Sequence, residues 1–361
     1  MKKSVFILLA LLLGMTATAQ TQKQKLTITT KRGKVHTYVM GESMDSLRIL
    51  NDVGIKVYPK GKKESKDYLF SQITYTLTNE PTPTPDPSGK NANRNTTADL
   101  KKNPQGWRLE FPRFYQGTNK TYEITHFTTE NGKRMNNYSV EWDAKLKANR
   151  WTCYEMYDKM MQKNVKRKNE FKPDPDIPSD MQTTLKDYKG SGFDRGHLCP
   201  SDDRCCSQAM NDQTFYLSNM QPQVHGHNGG VWKNLEEKVR AWAGKCDTLY
   251  VVKAATIDKA EYICNKKDLN EIAEKEGKPA GSLHFPGIVP KYFYMALLAY
   301  DKKTNTYRAL GIWSPHYTKS KYDYITIEEL QKRTGIDFFC NLDDSIEKAV
   351  EATVDSDYWE K

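Results

Sequence analysis

The chain of 361 residues has no uninterrupted apolar run of the ~20 residues that a membrane-spanning helix needs. Its longest apolar stretch, residues 5–15, is too short to cross a bilayer, which excludes a multi-span membrane protein. Cysteine is scarce, with seven in all, and no two are spaced as C-x-x-C. That removes the ordinary signature of a structural zinc site or a dithiol redox centre. No internal repeat is present, and no cluster of carboxylates stands at metal-binding spacing. There is no acidic excess either: 55 Lys and Arg face 45 Asp and Glu, giving a net charge of +10. With 37% hydrophobic and 28% charged residues, the chain is neither collagenous nor wholly disordered.

What is present begins with that basic balance. A positive surface favours polyanions such as nucleic acid, anionic lipid or acidic glycans, with plain solubility as the alternative. At the N-terminus, Lys2 and Lys3 precede the apolar run, and Ala17-Thr18-Ala19 forms an A-x-A cleavage signature before Gln20. Residues 1–19 are therefore expected to be a signal peptide, with the mature chain secreted or periplasmic. No lipobox cysteine follows, so no stable membrane anchor is expected. Export would permit disulfides, and the odd cysteine count leaves at least one thiol outside any intrachain set.

Residues 20–80 read as a small β-rich module. Alternation at 26–30 and 35–39, with Arg32-Gly33 between them, suggests a paired turn, and 55–58 and 68–77 are further strand-like runs. Residues 81–106, opening Pro81-Thr82-Pro83-Thr84-Pro85, read as an extended Pro/Thr/Asn-rich linker. Asn95-Thr96-Thr97 within it fits a glycosylation sequon, a pattern that is common by chance. Residues 107–361 form the main domain. Strands are expected at 122–126, 138–142, 248–253, 292–300 and 307–313, and helices at 231–243, 268–276, 326–334 and 344–352. No regular βαβ rhythm joins them, so the predicted class is α+β with a central, mainly antiparallel sheet. The role of the 20–80 module is open; it would suit attachment to a surface or protein partner, and a homodimer is also left open.

Two segments carry chemistry. The first is Asp194-Arg195-Gly196-His197. A neutral His can take a proton from water near pH 7, an adjacent Arg can hold phosphate oxygens, and Gly permits a close backbone approach. A surface Asp–Arg pair beside a satisfied His explains the same string equally well. The second is Asn219-x-x-Pro222-Gln223, then Asn228-x-Gly230-x-Trp232-x-x-Leu235-Glu236, then Arg240. Trp232, Leu235, Val239 and Trp242 recur at helical spacing and should bury one stripe. Glu236 and Arg240 stand one turn apart on that helix. A capped amphipathic helix with a surface ion pair accounts for those two, but not for the order of Asn219, Pro222, Gln223 and Asn228.

Together these motifs resemble the DNA/RNA non-specific endonuclease family, whose site is of the ββα-metal (His-Me finger) type. The likeness extends through Tyr250-Val251-Val252, Ala255-Thr256-Ile257, Val289-Pro290-Lys291-Tyr292-Phe293 and the segment from Ile325 to Asp344, so it covers most of 107–361. The resemblance implies a metal-dependent endonuclease acting on DNA and RNA. By position, His197 matches the general base and Asn228 the direct ligand of one Mg²⁺, with Mn²⁺ as the alternative ion. Glu236 matches the carboxylate that holds metal-bound water. Arg195 and Arg240 match cations that stabilise the transition state, and Asn219 a supporting active-site amide. Asp194 belongs to the motif and is grouped with substrate binding. A further family arginine upstream is best matched by Arg167, with Lys166 and Lys168 on either side. Mg²⁺ prefers oxygen ligands and keeps most of its waters, so one Asn plus water is a sufficient set.

The remaining candidates are weaker. His225 and His227 flank Asn228 as an H-x-H, for which a polar loop is favoured over a transition-metal site. His126, His284 and His316 read as structural. Residues 163–172 are Lys-rich and face either substrate or solvent. Cys199 sits two residues past His197, but nothing marks it as a nucleophile. Two other readings stay open: a nucleic-acid-binding protein with an inactive nuclease site, and a phosphodiesterase acting on another substrate.

Overall fold

A computed structural model describes residues 23–31, 35–39, 44–50, 54–62, 64–80, 91–130 and 133–360. The expected signal peptide, and positions 81–90 of the expected linker, lie outside these residues. The chain divides into two compact units after Pro85.

The first unit is all β, as its alternation suggests. Strands β1 (Lys23–Thr30), β2 (Val35–Val39) and β6 (Ile73–Glu80) form one antiparallel sheet in the order β2-β1-β6. A second sheet pairs β3 (Met44–Leu50), β4 (Gly54–Pro59) and β5 (Lys66–Leu69) in that order. Period-two placement buries Leu26 and Ile28 from β1 and Ile55 and Val57 from β4. The expected run at 68–77 is not one strand. A single tight turn, Phe70–Gln72, breaks it and sends its halves into different sheets.

The second unit is built on seven strands: β7 (Thr121–Glu130), β8 (Lys133–Asp143), β9 (Ala148–Met156), β12 (Thr248–Ala255), β13 (Tyr292–Asp301), β14 (Thr306–Pro315) and β15 (Asp323–Ile325). Their order is β15-β14-β13-β12-β9-β8-β7, and every neighbouring pair is antiparallel. The short strands β10 (Asp194–His197) and β11 (Met220–Gln223) pair separately. This is the α+β class with the antiparallel sheet that the sequence predicts.

The central strand β12 has apolar neighbours on both sides. Leu249, Val251 and Ala255 pack toward the helix Lys233–Ala243, and Val252 and Ala254 pack on the opposite face with Ile327 and Leu330 of the helix Ile327–Thr334. The stripe of Trp232, Leu235, Val239 and Trp242 is buried as its spacing predicts.

The segment 91–106 departs from expectation. Its composition reads as linker, yet it belongs to the second unit and packs into it. Asn95 is buried; its Nδ2 donates to Gly106 O and Pro112 O at 2.9 and 3.0 Å, and its Oδ1 accepts from Phe114 N–H. Asn93 donates to Asp337 and Glu347, and Asp99 pairs with Arg113 at 2.7 Å. Polar side chains here bond to tertiary backbone rather than to solvent, which composition does not reveal. Asn95 is consequently no glycan acceptor in the folded chain.

Asn95→Ala leaves the Pro112 carbonyl and the Phe114 amide without their partner, while Gly106 O keeps the Asn341 side chain. It should destabilise the second unit by about 2–4 kcal/mol, each buried orphan costing ~1–3 kcal/mol. Chemical denaturation compared with the parent chain measures it, and an unchanged midpoint would refute the packing described for 91–106.

Candidate active site

Strand β10 carries the Asp194-Arg195-Gly196-His197 motif and runs antiparallel to β11, with Asp194 opposite Gln223 and His197 opposite Met220. After β11 the chain makes a wide, π-type turn at His227–Trp232 and continues as the helix Lys233–Ala243. Two short strands and one helix thus frame a single site. Gly196 is required by contact: a Cβ there would lie 2.7 Å from the Gln223 Cβ and 2.1 Å from the Gln223 side-chain oxygen. Any side chain would push β10 away from β11 and move His197 with it.

Asn219 locks the end of this frame. Its Oδ1 accepts the Cys199 N–H at 2.8 Å, and its Nδ2 donates to Cys199 O and Thr214 O at 2.8 and 2.9 Å. The side chain is fully buried and does not line the cavity. Asn219 is thus a supporting amide rather than one that lines the cavity: it fixes the loop after His197, and both of its amide hydrogens are taken by backbone carbonyls.

The other motif residues meet around one cavity of about 740 Å³, lined by Arg167, Asp194, Arg195, His197, Asn228, Glu236 and Arg240. His197 stands between Phe171 and the edge of Phe215, with ring centroids at 5.6 and 5.1 Å. Its backbone carbonyl accepts from Trp232 Nε1. Its Nε2 is shielded and makes no protein hydrogen bond among the described residues. Burial, then the charges of Arg167, Arg195 and Lys253, push the imidazole down to about 3, so the ring is neutral at physiological pH.

Arg195 lies over the Phe171 ring at 4.0 Å, and Arg167 stands 5.4 Å from the Phe215 centroid with its Nε donating to Asn169. Of the three basic positions 166–168, Arg167 lines the cavity, whereas Lys168 pairs with Asp212. Arg240 is held by the buried Asp203 at 3.0 Å, and Asp203 in turn accepts from Tyr154 OH at 2.8 Å. The sequence reading missed Asp203. It also missed Lys253, which is fully buried 3.7 Å from Glu236 Oε1. The one available signal for Lys253 was a lone charge inside an apolar strand.

Asp194 Oδ2 accepts from Asn228 Nδ2 and meets His225 Nδ1, both at 2.9 Å. This fixes the Asn228 amide and leaves its oxygen to act as acceptor or ligand. Burial raises Glu236 to about 7, and Lys253 opposes that rise. The carbonyl of Asn228 and the carboxylate of Glu236 form an all-oxygen set, the chemistry that suits Mg²⁺. His227 is no ligand: it is buried and bonded to Gln223 and Ser314. His316 is likewise structural, accepting from Val224 N–H and facing Pro290 O.

Two further groups of described side chains come close enough to hold an ion, His126–Asp174–Asp176 and Asp337–Glu347–Glu351, and neither lines the cavity. In the first, the two ring nitrogens of His126 already face Asp174 and Asp176 at 3.1 and 3.8 Å. No disulfide joins any of the seven cysteines.

A group whose folded pKa is depressed contributes stability above its unfolded pKa and loses it as pH falls. For His197 the window runs from about 6.5 down to about 3. Relative to His197→Asn, the parent chain should lose up to about 1.4 kcal/mol per pH unit below 6.5. Glu110 and Glu141, raised to about 7 and 8 by burial, titrate in the opposite sense in both chains and cancel in the difference. Parallel denaturation series from pH 7 to 4 would measure this, and a difference independent of pH would contradict the buried neutral ring.

Comparison with known proteins now bears on this geometry. The sequence profile of the family described as DNA/RNA non-specific endonuclease matches residues 118–345. A Nostoc protein named Nuclease is 26% identical over 61% of this chain and 77% of its own length. Nuclease C1 of Cunninghamella echinulata is 34% identical over 48% of this chain and 68% of its own. The human protein named Nuclease EXOG, mitochondrial, is 28% identical, covering 57% of this chain and 56% of its own. Among solved structures, one of the EndoG/EndoGI complex aligns with a TM-score of 0.48 at 22% identity, over 62% of this chain and 89% of that one. The profile spans well over half of the chain, cavity residues included, and the chain belongs to the DNA/RNA non-specific endonuclease family.

Proposed function

We propose that the chain is an exported, Mg²⁺-dependent endonuclease that hydrolyses DNA and RNA with little sequence preference, using His197 as general base. The observation that carries this reading is one cavity bringing together a neutral, unpaired imidazole, three arginines and an oxygen-only pair, Asn228 and Glu236.

Backbone phosphate is the group this cavity suits, since its three arginines would meet phosphate oxygens, which carry no sequence information. Arg167 and Arg195 hold the diester, each braced against an aromatic ring. The His197 imidazole takes a proton from water as that water attacks phosphorus. The bond from phosphorus to the 3′ oxygen breaks, leaving a 5′ phosphate. Arg195 and Arg240 neutralise the charge that builds on the phosphoryl oxygens, with Arg240 aimed by Asp203. Asn228 as a ligand and Glu236 through water would hold the metal, and Asp194 orients the Asn228 amide. When bound, the ion supplies Lewis-acid stabilisation of the phosphoryl group and of the departing 3′ oxygen. Asn219 acts by positioning alone. Export rests on the N-terminal sequence features.

Supercoiled plasmid and structured RNA, incubated with Mg²⁺, with EDTA, and with the His197→Ala chain, test the proposal. Both substrates should disappear only with the parent chain and Mg²⁺, and His197→Ala should lower the rate by at least ~10²-fold, the lower end of general-base contributions. Wild-type rates from His197→Ala would remove the assigned base. Intact polymers with cleavage of a small diester would favour a phosphodiesterase. Tight binding without cleavage would favour an inactive nuclease site.

A further inference from the structure

Lys253 stands on β12, the middle strand of the seven-stranded sheet, with Thr152 on β9 and Met295 on β13 as register partners. Strand alternation puts it with Leu249, Val251 and Ala255, on the face that the helix Lys233–Ala243 covers. Its side chain is fully buried, and Nζ makes no hydrogen bond among the described residues. The ammonium lies 5.9 Å from the centroids of both the Tyr154 and Trp232 rings. Its charged neighbour is Glu236, whose Oε1 is 3.7 Å away, beyond hydrogen-bond distance but within ion-pair range.

A buried ammonium is retained at a desolvation cost, and an apolar residue of equal length commonly packs at least as well. Stability therefore gives no reason for a lysine here. Its partner supplies one, because Glu236 has two sides: it faces Lys253 inside the protein and the cavity outside. Nothing in the cavity can reach Lys253 itself. We propose that Lys253 is a positioning residue for the nuclease reaction, holding the Glu236 carboxylate in place from behind. The inference rests on the proposed function, in which Glu236 serves the chemistry.

The test is a double-mutant cycle on the full chain: Lys253→Met, Glu236→Gln and both together. Plasmid cleavage with Mg²⁺ and thermal unfolding are read for each. Lys253→Met should lower kcat at least tenfold and leave KM for DNA within threefold, because the lysine touches no substrate. On the Glu236→Gln background the same change should alter kcat less than twofold. There it should also raise the unfolding temperature, since Glu236→Gln leaves a buried cation without its counter-charge. Equal losses of rate on both backgrounds, or an unfolding temperature lowered equally on both, would make Lys253 a packing residue and overturn the proposal. An unchanged kcat in Lys253→Met would also overturn it. If Lys253→Met does not fold, Lys253→Gln serves in the same cycle, and failure of both to fold would overturn the positioning role. Wild-type cleavage by Glu236→Gln alone would sink the role given to Glu236 in the proposed function, a distinct result.

Discussion

One carboxylate oxygen, Asp194 Oδ2, ties the start of β10 to the start of the site helix by accepting from Asn228 Nδ2 and meeting His225 Nδ1. The rest of the site depends on that tie. Strand alternation places Arg195 and His197 on one face of β10, and both contact the same ring, Phe171. Gly196, between them, lets β10 lie against Gln223. Asn219 holds the loop beyond His197. The base and Asp194, the residue that fixes the metal-ligand candidate Asn228, therefore sit at opposite ends of one four-residue strand. A shift of β10 by one residue would turn His197 to the wrong face.

Electrostatics and burial act together on this frame. Arg167, Arg195 and Lys253 are three of the causes that keep His197 neutral, after burial itself. The same guanidinium groups suit phosphate. A cavity arranged to bind polyanion is thereby also a cavity whose histidine is held in its neutral form. The seven-stranded sheet supplies the rigid floor: β12 brings Lys253 beneath Glu236, and β9 brings Tyr154 to Asp203, which aims Arg240. Placing side chains from sheet strands beneath helix residues gives more exact positions than loops alone would.

Much of this was readable in the amino-acid order. The stripe Trp232, Leu235, Val239, Trp242 announces a helix with one buried face, the alternating runs mark β1 and β2, and strand-like runs mark β7, β13 and β14. The Asp194–His197 and Asn228–Glu236 motifs meet in one cavity, as their resemblance implies. Strand β9 escaped because Ala-Asn-Arg-Trp-Thr-Cys-Tyr-Glu-Met is buried on both faces and shows no period-two pattern. Segment 91–106 escaped because asparagines that bond to tertiary backbone look the same, in sequence, as asparagines in a solvated linker. Asn219 was read by its motif position as a site amide. Its hydrogen bonds reach Cys199, 20 residues earlier, and Thr214, 5 residues earlier, and no spacing rule gives them. Asp203 and Lys253 reach the site from other elements, through the fold rather than through the motif.

The most direct test of the account is the position of the metal. Crystals of the chain soaked in Mn²⁺, with diffraction data collected for anomalous signal, would locate the ion without reliance on activity. The account predicts one strong peak in the cavity, bonded to the Asn228 side-chain oxygen, with Glu236 reaching it through water. A cavity without a peak, or a peak instead at His126, Asp174 and Asp176, would contradict it.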